Sequence, residues 1–237
     1  MSTPQVTLLA LADGTLAFSA ETIKPLTKDD PFGSFRHVAH EGSDGIAAGV
    51  LDGNGDFEIK NYPYSEALIV HSGLVSIKSK EQVLEVSVGE SVVIALGTEC
   101  TISFKPGTVA AFCAATCFFG EEAAGLSWIE RYGDLEPSAT LAPPILIGRA
   151  PQCRALSTYQ GSGTPLKVGV WDSTPYQRRA RPHRIHELMN LIEGQVTLTM
   201  EDGRVIQVGT GDTVFVPQGA PCSWVSTGYV RKYYAVA

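Results

Sequence analysis

The chain has 237 residues, a formal net charge of -7, 44% hydrophobic residues and 18% charged residues. This excludes a nucleic-acid surface, which needs a net basic face, and also a disordered or a membrane-spanning chain. The length suits one large or two small domains, and 24 glycines with 14 prolines favour short strands joined by turns.

Residues Met1 to Ala10 carry no Lys or Arg and lead into only a short apolar run, Val6 to Leu11. No secretory signal is expected, and the expected location is cytoplasmic. The five cysteines, Cys100, Cys113, Cys117, Cys153 and Cys222, contain no CxxC and read as reduced, buried thiols. His37, His40 and His71 look isolated and are read as non-catalytic.

Along the chain, Gly49-Val50-Leu51-Asp52 opens a first block of strands. Glu66 to His71, the turn Ser72-Gly73 and Leu74 to Ile77 read as a hairpin. Gly89-Glu90-Ser91 and Gly97 mark later turns. Residues 121–129 and 128–135 carry a weak helical signal, enough for one short turn. Pro137, Pro143 and Pro144 then cluster in a linker near Leu135 to Ile147.

Beyond the linker the first block returns. Gly169-Val170-Trp171-Asp172 repeats Gly49-Val50-Leu51-Asp52 with an offset of 120. Glu187 and Gly194 repeat Glu66 and Gly73 at 121, and Gly211-Asp212-Thr213 and Gly219 repeat Gly89-Glu90-Ser91 and Gly97 at 122. One long period used twice means two similar domains. The expected division is 1–135, with a barrel over about 40–115, and 136–237, with a barrel over about 165–237. About six to eight short strands in each half suggest a small antiparallel barrel or jelly roll.

The spacing Glu187-x6-Gly194 and Gly211-x5-Pro217-x-Gly219, with strands between, resembles the two motifs of the cupin superfamily. Gly169-Val170-Trp171, Trp224-Val225 and Val230-Arg231-Lys232-Tyr233-Tyr234 sharpen the likeness. They resemble the subgroup whose domains are similar to those of ureidoglycine aminohydrolase and the ethanolamine-utilisation cupin. The N-terminal half repeats the outline in Tyr62-Pro63-Tyr64-Ser65-Glu66, Gly73, Gly89-Glu90 and Gly97. The resemblance implies an all-β bicupin of two tandem jelly-roll (double-stranded β-helix) barrels.

In metal cupins, inward-facing His and Glu side chains converge on a divalent ion. Carried over by motif, those positions fall on Arg181, His183, Glu187 and Cys222 in the second half. In the first half they fall on Lys60, Tyr62, Glu66 and Cys100, which make an unlikely metal site. The resemblance thus implies a His183/Glu187/Cys222 site for one divalent transition metal, Zn, Mn, Fe or Ni. Alternatively Cys222 only fills the barrel and no metal is held, or Cys222 is a catalytic thiol activated by Arg181 or His183. His186 neighbours Glu187 on a strand, points to the opposite face, and is not used.

The run Arg178-Arg179-Ala180-Arg181-Pro182-His183-Arg184 is dense for an acidic chain. It reads either as a solvated loop or as a cationic barrel mouth, in which Arg179 and Arg181 grip a carboxylate or phosphate. Arg181 is also placed to neutralise Glu187 as a structural ion pair. Trp171 and Trp224 read as core or dimer contacts before they read as substrate walls, with Trp224 retained as a substrate-binding candidate.

Two functions follow. The first is a metal-dependent enzyme of the aminohydrolase or isomerase kind, acting in the C-terminal barrel on a small anionic or nitrogen-rich metabolite. Glu187 and Arg181 are its candidate catalytic residues, and Arg179, Arg181 and Trp224 its substrate contacts. The second is a metal-free module that binds a small ligand without catalysis. Either is compatible with a homodimer, and neither involves nucleic acid or membrane.

Overall fold

Glu66 and Glu187 each sit at the start of a strand that is paired on both sides, and the two settings match. Ser65–Ser72 lies between Ser91–Ile94 and Cys100–Ala115, and Glu66 stands opposite Ile94 and Ala114. Glu187–Glu193 lies between Thr213–Val216 and Val230–Val236, and Glu187 stands opposite Val216 and Val236. This is one pattern used twice in a computed structural model that describes residues 4–19, 22–140 and 143–237.

Both central strands are buried along almost their whole length, because both of their faces are covered. Alternate side chains go to different cores. Leu68 and Val70 point into a cluster inside the first half, and Met189 and Leu191 into one inside the second. Ala67, Ile69, Leu188 and Ile192 point the other way, into a third cluster that both halves share. The hairpin glycines Gly73 and Gly194 have φ of 75° and 91°, in the left-handed region where a Cβ is strained.

The halves differ in strand continuity. Ile46–Ile59 and Cys100–Ala115 run long and pair with each other in the first half. In the second half the same path is cut into Lys167–Ser173 with Tyr176–Pro182, and Pro221–Ser226 with Val230–Val236. The result is a seven-stranded and a five-stranded sheet around the second core.

Two local features depart from the linear reading. Leu126–Trp128 is a strand, not a turn of helix, and pairs with Ser91–Ile94. Leu126 and Trp128 pack against the first core, and that burial outweighs weak helical propensity. Among the described residues the helical structure is one 3-10 turn, Pro143–Ile145, inside the linker. Second, Thr7–Ala10 does not stay with the first half, since it pairs with Thr213–Val216 at the edge of the seven-stranded sheet.

All five cysteines are unpaired, and four are buried. Among the described residues, no helix is long and apolar enough to cross a membrane.

Candidate functional site

The second barrel contains a cavity of about 390 Å³, within the size range of small-molecule sites. Its floor and walls come from eight strands, from His183 between two of them, and from the linker. Trp171, Tyr176, Trp224 and Tyr234 supply aromatic surface, and Arg178, Arg181, His183, Glu187, Cys222 and Lys232 supply the polar groups. The aromatics brace one another. Tyr176 stacks on Trp224 at 5.5 Å between centroids, and Trp171 meets Trp224 edge-on at 6.2 Å.

The basic run enters through a bulge. On the strand Tyr176–Pro182, Arg178 lies opposite Trp224, but Arg181 lies opposite Cys222. The three-residue step from 178 to 181 faces a two-residue step from 224 to 222, so one extra residue is inserted. Simple alternation puts Arg179 and Arg181 on one face. The bulge brings Arg178 and Arg181 to the cavity instead, and Arg179 is exposed outside it.

Glu187 is held on both oxygens. Oε2 is 2.9 Å from His183 Nε2, and Oε1 accepts from Lys232 Nζ at 2.8 Å. Burial by itself would raise its pKa, but the Lys232 ammonium and the His183 hydrogen bond outweigh it and hold the carboxyl well below the usual range. Glu187 therefore pairs with Lys232, and the expected Arg181–Glu187 pair does not form. Lys232 is only 6% exposed. Its Nζ also lies 2.9 Å from Met189 Sδ and over the indoles of Trp171 and Trp224, at 4.9 and 5.2 Å from their centroids.

Cys222 is fully buried, and Arg178 covers it. Arg178 Nη1 donates to the Cys222 carbonyl at 2.6 Å, and Nη2 is 3.8 Å from Sγ. His183, Glu187 and Cys222 thus line one cavity, but they do not make a metal site. Among the described residues, no three His, Cys, Asp or Glu side chains are grouped so that they could hold a metal ion. The chemistry agrees: an ammonium occupies one oxygen of Glu187, an imidazole the other, and a guanidinium the thiol. Three cations, Arg178, Arg181 and Lys232, would also repel a divalent ion. The implied metal does not fit these residues.

The same lining leaves polar atoms without partners. Ser138 Oγ, Arg181 Nε and His183 Nδ1 are buried without hydrogen bonds, and all three residues line this cavity. Neither Arg178 nor Arg181 forms an ion pair with a carboxylate among the described residues. Burial, with the positive charges of Arg178 and Arg184, lowers the pKa of Arg181.

Sequence reasoning missed Lys232, Arg178 as a cavity residue, and Ser138. The signal for Lys232 was present as a lysine inside the apolar strand Val230–Val236. Ser138 lies in the linker, beside Glu136–Pro137, which pairs with Cys153–Gln160.

The interior of the first barrel around Glu66 is filled by side chains. Arg36, fully buried, pairs with Asp30 and Glu66 and donates to the Tyr64 hydroxyl. Tyr62 donates to Glu66. The Arg36 guanidinium stacks 4.3 Å from the Phe112 centroid, and with Phe32 these groups fill the interior. His71 joins the halves, with Nδ1 2.9 Å from the Leu11 carbonyl and Nε2 2.7 Å from Thr213 Oγ1. His186 turns away from the cavity and bonds Asp44 across the halves at 2.8 Å.

The family model described as an EutQ-like cupin domain matches residues 161–234. A protein of unknown function from Pseudomonas syringae pv. tomato has a solved structure with TM-score 0.96 and 46% identity, covering 99% of this chain and 100% of that one. Protein Ylba from E. coli gives a TM-score of 0.51 at 12% identity, covering 87% of this chain and 88% of its own. Salicylate 1,2-dioxygenase from Pseudaminobacter salicylatoxidans gives 0.52 at 12%, covering 82% and 71%. These last two share the fold alone. No curated protein matches the sequence.

Proposed function

We propose, since this chain belongs to the EutQ-like cupin family, that its C-terminal barrel binds a small organic anion without a metal ion. The observation that carries this is the excess of unmatched positive charge in a recessed, aromatic-walled space. Lys232 is balanced by Glu187, while Arg178 and Arg181 have no carboxylate partner among the described residues. A carboxylate or phosphate on the ligand would supply it, and guanidinium forks bind such groups well. The orphaned atoms of Ser138, Arg181 and His183 add hydrogen-bonding capacity that the protein does not satisfy itself. The apolar part of the ligand would lie against Trp224, Trp171 and Tyr176.

The metal-dependent enzyme is the weaker of the two readings, because its donors are already engaged by cations and hydrogen bonds of the protein. The test is titration calorimetry of chelator-treated protein with small mono- and dicarboxylates and sugar phosphates. One-to-one binding of one of these classes, weakened roughly ten- to a hundredfold in Arg181→Gln, is the expected result. Failure of every such anion to bind, or binding that needs added divalent metal, overturns the proposal.

A further inference from the structure

We propose that Lys232 is a tethered ammonium standing where a metal ion would have to stand, so that the barrel keeps a fixed internal cation. A divalent ion bound to Glu187 Oε1 would compete for the position that Nζ holds at 2.8 Å. The surroundings suit an ammonium and not a metal. Two indole faces lie within about 5 Å of Nζ, where ring quadrupoles attract a monovalent cation but offer no ligand to a divalent one. A thioether sulfur completes the contact.

The repeat shows the position to be particular to this barrel. Trp171 stands in register opposite Lys232, and Leu51, the residue Trp171 repeats, stands opposite Ala110. The first barrel, with alanine there, brings its cation from another strand as Arg36. Each barrel thus gives its glutamate an internal positive charge from its own chain. In the first barrel the surrounding tyrosines and phenylalanines close the space. In the second the cation borders a cavity.

An ammonium has three donors. Glu187 and Met189 take two, and the third has no acceptor among the described residues. Lys232 is therefore a further ligand-binding residue, a role that rests on the anion-binding reading above. The replacement of the metal does not rest on it.

Two measurements test this. First, wild-type protein is dialysed against Zn2+ or Mn2+ and its metal content measured by elemental mass spectrometry. Far less than one equivalent is expected. A full equivalent of either ion, lost in Glu187→Gln, overturns the proposal whatever the fate of the anion. Second, Lys232→Ala is expected to weaken binding of the anion found by calorimetry roughly ten- to a hundredfold, the loss of one charge-assisted hydrogen bond. Added propylammonium, the missing end of the side chain, is expected to restore most of it. Unchanged affinity in the variant, or restoration by Zn2+ in place of propylammonium, overturns the proposal. If Lys232→Ala does not fold, metal uptake by the wild type decides alone. If no anion binds the wild type, the proposed function fails while the uptake result still stands.

Discussion

Glu66 and Glu187 hold the same place in the two barrels, but Glu66 is sealed under Arg36, Tyr62 and Tyr64 whereas Glu187 borders open space. The difference divides the molecule into a half whose buried charges serve stability and a half whose charges face a ligand-sized cavity.

The first barrel is expected to respond to charge removal by losing stability alone. Arg36 and Glu66 are both fully buried. Arg36→Met or Glu66→Gln strands the other charge away from water, which costs about 3–5 kcal/mol. Urea unfolding at pH 7 measures this. A cost below about 1 kcal/mol, the range of solvated surface pairs, would refute the sealed arrangement. Anion binding in the second barrel should not change.

For Glu187 the expectation concerns acid. Its carboxyl is held below the usual range in the folded state, chiefly by Lys232 and His183 against the effect of burial. Its stabilising contribution is therefore complete above the unfolded value of about 4.3 and is lost as pH falls from there toward the folded pKa. Glu187→Gln should lower stability at neutral pH and flatten the acid limb below about pH 4.3. Unfolding midpoints of both proteins at neutral and acidic pH compare the slopes, and equal slopes would contradict the pairing.

Two histidines should add a second, milder dependence. Burial, and for His40 also the neighbouring His186, lowers the pKa of His40 from 6.5. Burial likewise lowers that of His71. Asp44 and Glu41 near His40, and Asp212 and Asp13 near His71, oppose the shifts without cancelling them. An imidazole that resists protonation when folded favours the native state above its unfolded pKa, so stability should decline as pH falls below about 6.5. Thermal unfolding between pH 7.5 and 5 tests this, and the double variant His40→Asn/His71→Gln should show a shallower decline. A variant as pH-sensitive as the wild type would argue that other groups are responsible.

The bulge between Arg178 and Arg181 separates three arginines that look alike in sequence. Arg181→Gln and Arg178→Gln are expected to weaken anion binding roughly ten- to a hundredfold, and Arg179→Gln to leave it unchanged. Calorimetry on the three variants ranks them. Weakening in the Arg179 and Arg181 variants with none in the Arg178 variant would mean that the strand follows plain alternation.

The repeat, the hairpin glycines and the cupin outline were legible because each leaves a local mark. Gly73 and Gly194 need left-handed backbone, and the strands between them alternate between two buried faces. The glutamate of the site was legible for the same reason. What escaped depends on partners far away in sequence. Lys232 reaches Glu187 from the other end of the domain, 45 residues on. Whether 178 or 179 faces inward is decided by register against Trp224 and Cys222, and nothing within the run itself encodes it. Ser138 reaches the cavity only because the linker lies along the second barrel. The triad His183, Glu187 and Cys222 did gather in one cavity, but its charge balance is set by residues outside any motif.

The strand Thr7–Ala10 has a consequence for any attempt to study the second barrel alone. It covers the outer edge of Thr213–Val216, with Thr7 opposite Phe215 and Leu8 opposite Val214. A fragment begun in the linker would lack that strand and would present a bare row of backbone donors and acceptors on an apolar edge. Such an edge recruits whatever extended chain is at hand, a neighbouring copy first of all. The amino-terminal segment acts as a built-in donor strand, and a soluble C-terminal fragment should require it to be supplied, as a fused or added peptide.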